Sequence, residues 1–129
     1  MYLAMTDKGD YGSTCLHLDV ADAINLMVYS NPPTGFAIWH IFADYHAEKL
    51  RFFISEKFPS SAGDPIHCQR HYLGPDLLGE LELKYGVKPF TIVQHVNQAV
   101  IIPAGCPHQV CHIVPTLAYP LSSTELLVG

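Results

Sequence analysis

TCLHLDVADAINLMVY (residues 14–29) is the stretch that decides the fold class. It is mostly apolar and is typical of β-strand, yet it carries His17 and Asp19 two positions apart. Residues at i and i+2 of a strand project from the same face. Two ionisable groups on one face are costly to bury unless something pairs them, and a metal ion would do so. The pattern therefore predicts two metal ligands on an early strand.

A third ligand has to come from among the other histidines of the chain. His108 stands at the start of a predicted strand, after the turn in AVIIPAGCPHQV (residues 99–110). In a β-barrel fold, a histidine in that place would bring a ligand from late in the chain next to the ligands from early in the chain. His95, before a turn, and His112, deeper along the same strand, fit less well. Two histidines and one carboxylate leave open positions and suit iron(II) that must bind a co-substrate and oxygen.

Two other groups of residues resemble a metal site. His46 and Glu48 have the same spacing, but they open a predicted helix, where i and i+2 point about 200° apart. Cys106, Cys111 and His112 suggest a zinc site, but none of the four cysteines belongs to a CxxC pair. The pattern favours plain buried thiols over a zinc site.

Length and composition limit the classes of function. The 129 residues fit one domain, and 49% hydrophobic with 15% charged residues is a globular composition. A net charge of −5 argues against a broad basic surface for nucleic acid. The start MYLAMTDKGD lacks the layout of a secretory signal, and the apolar runs are too short to span a membrane. We therefore expect a soluble intracellular protein without direct nucleic-acid or membrane binding.

The pattern along the chain predicts a mostly β fold with two helices. The helices are expected at residues 46–58, with Asp44 as N-cap, and at Pro75–Tyr85, which Gly86 ends. Trp39 and Tyr29 are expected in the core rather than around a cavity. Strands are predicted at residues 14–18, 24–30, 36–43, 90–96, 98–104 and 108–114, turns at 31–35 and 96–97, a bend at 20–23, and loops at 1–13 and 59–65.

Five segments, in chain order, resemble the JmjC domain: LHLDVADAINLMVY, WHIF, DPIHCQRHYL, LKYGVKPFTIVQ and AVIIPAGCPHQV. The subgroup they resemble is the histone lysine demethylases related to Hairless, including fungal members. The resemblance implies a partial double-stranded β-helix of the cupin-like jelly-roll type. It implies one N-terminally incomplete domain over residues 1–129, which matches best over 13–114 and has a divergent tail over 115–129.

The resemblance also implies chemistry. His17, Asp19 and His108 would bind iron(II), and Thr14 would contact the co-substrate 2-oxoglutarate. The reaction would hydroxylate an N-methyl group on lysine and release formaldehyde. The partner would be a methylated histone tail or another basic protein, and the location would be the nucleus.

The chain departs from the family pattern at two places. Thr34 stands where family members commonly have a lysine that pairs with the distal carboxylate of 2-oxoglutarate, and a buried carboxylate without a partner is costly. Lys88, Arg51 and Arg70 are candidate replacements. The tail after His108 has no lysine or arginine and contains Pro115 and Pro120.

These departures keep other classes of function open. One is a non-catalytic JmjC-like chromatin scaffold or binding module. Another is a cupin-type oxygenase acting on a small molecule, or a zinc-bound binding domain.

Overall fold

The computed structural model of the protein describes residues 4–5, 11–59 and 63–113. Its elements are β1 (Ala4–Met5), β2 (Tyr11–His17), β3 (Ala23–Leu26), β4 (Phe36–Ile41), a 3-10 turn (Asp44–His46), α1 (Ala47–Lys57), α2 (Pro75–Tyr85), β5 (Phe90–Gln94), β6 (Ala99–Ile102) and β7 (His108–Ile113). Within these ranges, neither helix has the length and apolar character needed to cross a membrane.

The strands form two antiparallel sheets. The large sheet has the order β1-β2-β7-β4-β5, and the small sheet pairs β3 with β6. Alternate residues of β4, β5, β6 and β7 meet between the sheets in one apolar cluster, formed by Ala37, Trp39, Ile41, Val100, Ile102 and Val110 with Ile92 against it. This arrangement confirms the predicted fold class, a mostly β jelly roll with two helices.

The helices pack on the other side of the large sheet. Leu50, Phe53 and Ile54 of α1 and Leu81 of α2 are buried there. They form a second core cluster with Leu16, Phe42, Ile66, Leu73 and Val87. The large sheet is therefore covered on both faces, by the small sheet on one and by the helices on the other.

Helix α2 agrees with its predicted bounds at both ends. Pro75 occupies the first turn, where its missing N–H removes no hydrogen bond. Gly86 ends the helix in the left-handed region, with φ +65°, and its N–H donates to the Glu82 carbonyl at 2.9 Å. The proline at the start and the glycine at the end were therefore sufficient to predict both bounds of α2.

The predicted N-cap of α1 is wrong. Asp44 opens the 3-10 turn that precedes the helix, and its Oδ1 accepts the N–H of Tyr45 at 2.8 Å. The residue that caps α1 is His46, which makes no side-chain capping bond. The extra turn moves the start of the α-helix beyond the reach of Asp44.

Two strand predictions need correction. The strand expected at 24–30 ends at Leu26, because Met27 instead exchanges backbone hydrogen bonds with Asn97 and Gln98. Tyr29 is consequently 73% exposed and lies outside the core, whereas Trp39 is buried as expected. Residues 11–13, predicted as loop, belong to β2, and Ala4–Met5 form β1.

The turn at residues 96–97 joins different sheets. A strand was predicted on either side of it, and in the structure β5 pairs with β4 whereas β6 pairs with β3. Asn97 adopts φ +70°, which redirects the chain from the large sheet to the small one. The predictions for residues 1–3, 6–10, 60–62 and 114, and for the tail at 115–129, lie outside the described residues.

Two leucines of α2 differ in burial and allow a matched test of the core cluster formed by the helices. Leu81 is fully buried and Leu83, two positions away, is 90% exposed. We expect Leu81→Ala to lower the free energy of unfolding by about 2–5 kcal/mol, because it leaves a cavity. Leu83→Ala should change it by less than about 0.5 kcal/mol. Urea unfolding followed by circular dichroism measures both, and equal losses would contradict this placement of α2.

Candidate metal centre and its cavity

The pairing of β2 with β7 sets His17 directly opposite His108. Thr14 is opposite Val110, so three residues of β2 span the same length as two residues of β7. This β-bulge turns Thr14 and His17 to the same face although their separation is odd. The N–H of Leu16, displaced from the ladder by the bulge, donates to the His71 carbonyl at 2.7 Å.

Each histidine of this pair is oriented by the backbone carbonyl of the residue two positions before it. His17 Nδ1 lies 2.9 Å from the Cys15 carbonyl, and His108 Nδ1 lies 3.0 Å from the Cys106 carbonyl. A bond to a carbonyl requires the proton on Nδ1, which leaves the Nε2 lone pair free. The two rings have centroids 4.2 Å apart, so both lone pairs are held in one region.

Asp19 completes a cluster of three potential metal ligands. Its Oδ2 lies 3.8 Å from His17 Nε2 and 3.9 Å from His108 Nε2. One ligand atom from each residue lies within 4.8 Å of the others, and no other group of this kind occurs among the described residues. The structure therefore brings together the three residues that the sequence singled out.

The charge states of the cluster favour a cation. Burial lowers the pKa of His108, and the neighbouring His17 acts in the same direction, while the Cys106 carbonyl opposes them. A lowered pKa keeps the imidazole neutral near pH 7, which is the form that binds metals. Asp19 has a half-exposed side chain at the mouth of the cavity and supplies the carboxylate.

Two backbone N–H groups hold the loop that carries Asp19 to the loop that precedes His108. The N–H of Gly105 donates to the Asp19 carbonyl at 2.8 Å, and the N–H of Ala104 donates to Asp22 Oδ1 at 2.7 Å. Gly105 has φ +75°, a conformation that side chains rarely adopt. The loop after β2 and the loop before β7 are thus fixed to each other by the protein alone.

A cavity of about 620 Å³ extends from the cluster between the two sheets. Thr14, Trp39, Ile102, Val110 and His112 lie along its walls. Its volume is in the range of small-molecule sites, which are mostly apolar with a few placed polar groups. The cluster therefore lies at one end of a space large enough for a small ligand.

Trp39 belongs to both the core and the cavity wall, whereas only a core position was expected for it. Its ring stacks near His108, with centroids 6.2 Å apart, and its Nε1–H donates to Gln94 Oε1 at 2.8 Å. Gln94 Nε2 in turn donates to the carbonyls of Asn25 and Gln98 at 3.0 and 2.9 Å. Buried polar groups of this network are satisfied, so it fixes the Trp39 ring beside His108.

The other candidate residues lie elsewhere. His46 and Glu48 open α1 and line no part of the cavity. Thr34 is exposed in the turn at 31–35, and Arg51 is paired with Asp64 at 2.8 Å. Lys88 lines a separate cavity of about 310 Å³ beside α2.

Two features of β7 escaped the sequence analysis. Gln109 is fully buried, and its amide holds Leu73 at both backbone atoms, each at 2.8 Å. His112 was passed over as a metal ligand, yet its ring lines the cavity. The only sequence signal for Gln109 was that a polar residue stands on the apolar face of a predicted strand. That face is opposite to the face that carries His108.

Comparisons with known proteins agree with this geometry. The JmjC domain family, described as a hydroxylase, matches residues 8–120. Lysine-specific demethylase 3A of Homo sapiens is 37% identical over 139 residues, which cover 78% of this chain and 10% of that protein. Lysine-specific demethylase 3 of Drosophila melanogaster is 33% identical over 141 residues, covering 78% of this chain and 16% of that protein.

A more distant relative is the probable JmjC domain-containing histone demethylation protein 2C of Homo sapiens, at 28% identity over 141 residues, which cover 78% of this chain and 6% of that protein. The chain thus spans about a tenth of the length of the curated relatives it matches. The family match takes in most of the chain, including all three clustered residues. The chain belongs to the JmjC domain family.

Proposed function

We propose that the chain is the metal-binding part of an iron(II)- and 2-oxoglutarate-dependent oxygenase of the histone lysine demethylase type. It would hydroxylate an N-methyl group on lysine, and the product would break down to release formaldehyde. The observation that carries this proposal is the convergence of His17 Nε2, His108 Nε2 and Asp19 Oδ2 at one end of a cavity.

The donor set fits iron(II). Two neutral imidazoles and one carboxylate on one side of an ion leave its other positions open. Two donors that each lie about 2.1 Å from a shared ion are at most about 4.2 Å apart. The distances of 3.8 and 3.9 Å from Asp19 to the two histidines meet this limit, and all three donor atoms lie within 4.8 Å of one another. Iron(II), when bound here, would supply the activation of oxygen.

The side chains around this position would orient the reactants and exclude water. The backbone carbonyls of Cys15 and Cys106 would hold both imidazoles in the metal-binding tautomer. Trp39 and Val110 would keep the inner wall dry. Thr14, one step along the cavity from His17, would contact the 2-oxoglutarate.

The proposed substrate is a methylated histone tail or another basic protein. Support comes from the relatives that are named lysine-specific demethylases. The net charge of −5 is compatible with a basic peptide and gives no support to direct nucleic-acid binding. A nuclear location would follow from such a substrate.

One observation favours the alternative of a non-catalytic JmjC-like module. Among the described residues that line the cavity there is no lysine or arginine. Thr34, at the place of the family lysine, is exposed. Such a module would bind the metal and a peptide without turning anything over, so binding and turnover have to be measured separately.

Metal binding can be followed through the one tryptophan of the chain, because Trp39 lies beside His108. We expect iron(II), added without oxygen, to quench Trp39 fluorescence in a saturable way. Asp19→Ala should weaken the affinity at least about tenfold, because it removes a ligand. The decoy variant Glu48→Ala should bind as the wild type does. Unchanged affinity in Asp19→Ala would refute the proposed metal centre.

Turnover is tested with a methyl-lysine histone peptide. We expect formaldehyde only when iron(II) and 2-oxoglutarate are both present, and none from Asp19→Ala, with Glu48→Ala as the active control. Metal binding without any turnover would favour the non-catalytic module. Oxidation of a small molecule that needs iron but no 2-oxoglutarate would instead favour the cupin-type oxygenase.

A further inference from the structure

The inner face of β7 carries a second polar residue beyond His108. His108, Val110 and His112 alternate along the strand, and all three line the cavity. His112 stands about 13 Å along the strand from His108, since each strand residue advances about 3.3 Å. The metal cluster and His112 therefore mark two places along one cavity wall.

His112 has a nitrogen whose hydrogen-bonding capacity is unused. Its Nδ1 is shielded from solvent and has no hydrogen-bond partner among the described residues. A shielded polar atom without a partner is unfavourable in a folded protein and calls for an explanation. The ring also lines the cavity, so the ring edge that faces the open space can donate a hydrogen bond to a ligand there.

The neighbours of His112 leave room for such a ligand. Its register partners across the large sheet are Gly12, which has no side chain, and Ala37, which has one carbon. Gln94, the partner of Ala37 on the next strand, has its amide occupied by Trp39, Asn25 and Gln98. Among the side chains of this row that the structure describes, His112 is thus the large one that remains available to a ligand.

We propose that His112 is the second anchor of the cavity and binds the distal carboxylate of a short dicarboxylic 2-oxo acid. The 2-oxo end of the ligand would lie at His17, Asp19 and His108, and Thr14 faces the space between. The inference rests on the proposed function and goes beyond it by replacing the family lysine with a hydrogen-bonding imidazole. The cavity would therefore hold the carboxylate by hydrogen bonds rather than by a lysine or arginine charge.

The test compares two ligands on the full chain loaded with iron(II) without oxygen. The ligands are 2-oxoglutarate and pyruvate, a 2-oxo acid without a distal carboxylate, and their visible charge-transfer bands report affinity. His112→Phe keeps a ring and removes both nitrogens, whereas His112→Gln keeps a donor. His67→Ala alters an exposed histidine that lies outside the cavity and serves as the matched control.

We expect His112→Phe to weaken 2-oxoglutarate binding about ten- to a hundredfold, the effect of losing a hydrogen bond to a charged group. Pyruvate and iron(II) affinities should stay within about twofold of the wild type. His112→Gln should recover most of the loss. The melting temperature of apo His112→Phe should not fall, because the unpaired nitrogen is gone.

Equal losses for both ligands, or no loss for either, would overturn the role of His112 and leave the proposed function standing. A wild type that binds iron(II) but neither 2-oxo acid would overturn the 2-oxoglutarate part of the proposed function and, with it, this inference. Wild-type affinities that are equal for the two ligands would also overturn the anchor, without reliance on any variant.

Discussion

The antiparallel pairing of β2 with β7 is the constraint on which the site depends. It joins residues that are far apart in sequence and sets His17 opposite His108. Because side chains alternate with period two, a slip of β7 by one residue would turn His108 to the helix side of the sheet, away from His17. The same strand β7 pairs with β4 on its other edge and places Trp39 beside Val110. The two candidate histidine ligands, the cavity wall and the core between the sheets are therefore fixed by the register of one strand.

The two faces of β7 make different kinds of contact. Its inner face lines the cavity, and its outer face is tied to the segment before α2, where Gln109 holds Leu73 at both backbone atoms. Beside it, burial raises the pKa values of Tyr72 and Cys111, whose side chains hydrogen-bond each other. Neutral, satisfied groups on the outer face hold β7 in place, so the inner face does not depend on a bound ion for its position.

The sequence predicted what is local and missed what depends on distant partners. Helix α2 was predictable, since Pro75 and Gly86 act within their own turns. His17 and Asp19 were singled out by a spacing that has meaning on a strand, but β2 ends at His17 and Asp19 lies in the loop that follows. The partners of β5 and β6 were not, because a tight turn at Asn97 is equally compatible with a hairpin and with a change of sheet.

The two walls of the cavity differ in stability, because one is formed by the small sheet and the other by the large sheet. It has two strands, β3 and β6, and each has one edge with no strand partner among the described residues. Two-stranded ribbons are marginally stable, whereas β7 and β4 lie inside a five-stranded sheet. In hydrogen–deuterium exchange, amides of β3 and β6 would lose protection first. Spontaneous opening of the molecule thus starts on the side of the small sheet, while the histidines remain on the slowly exchanging side.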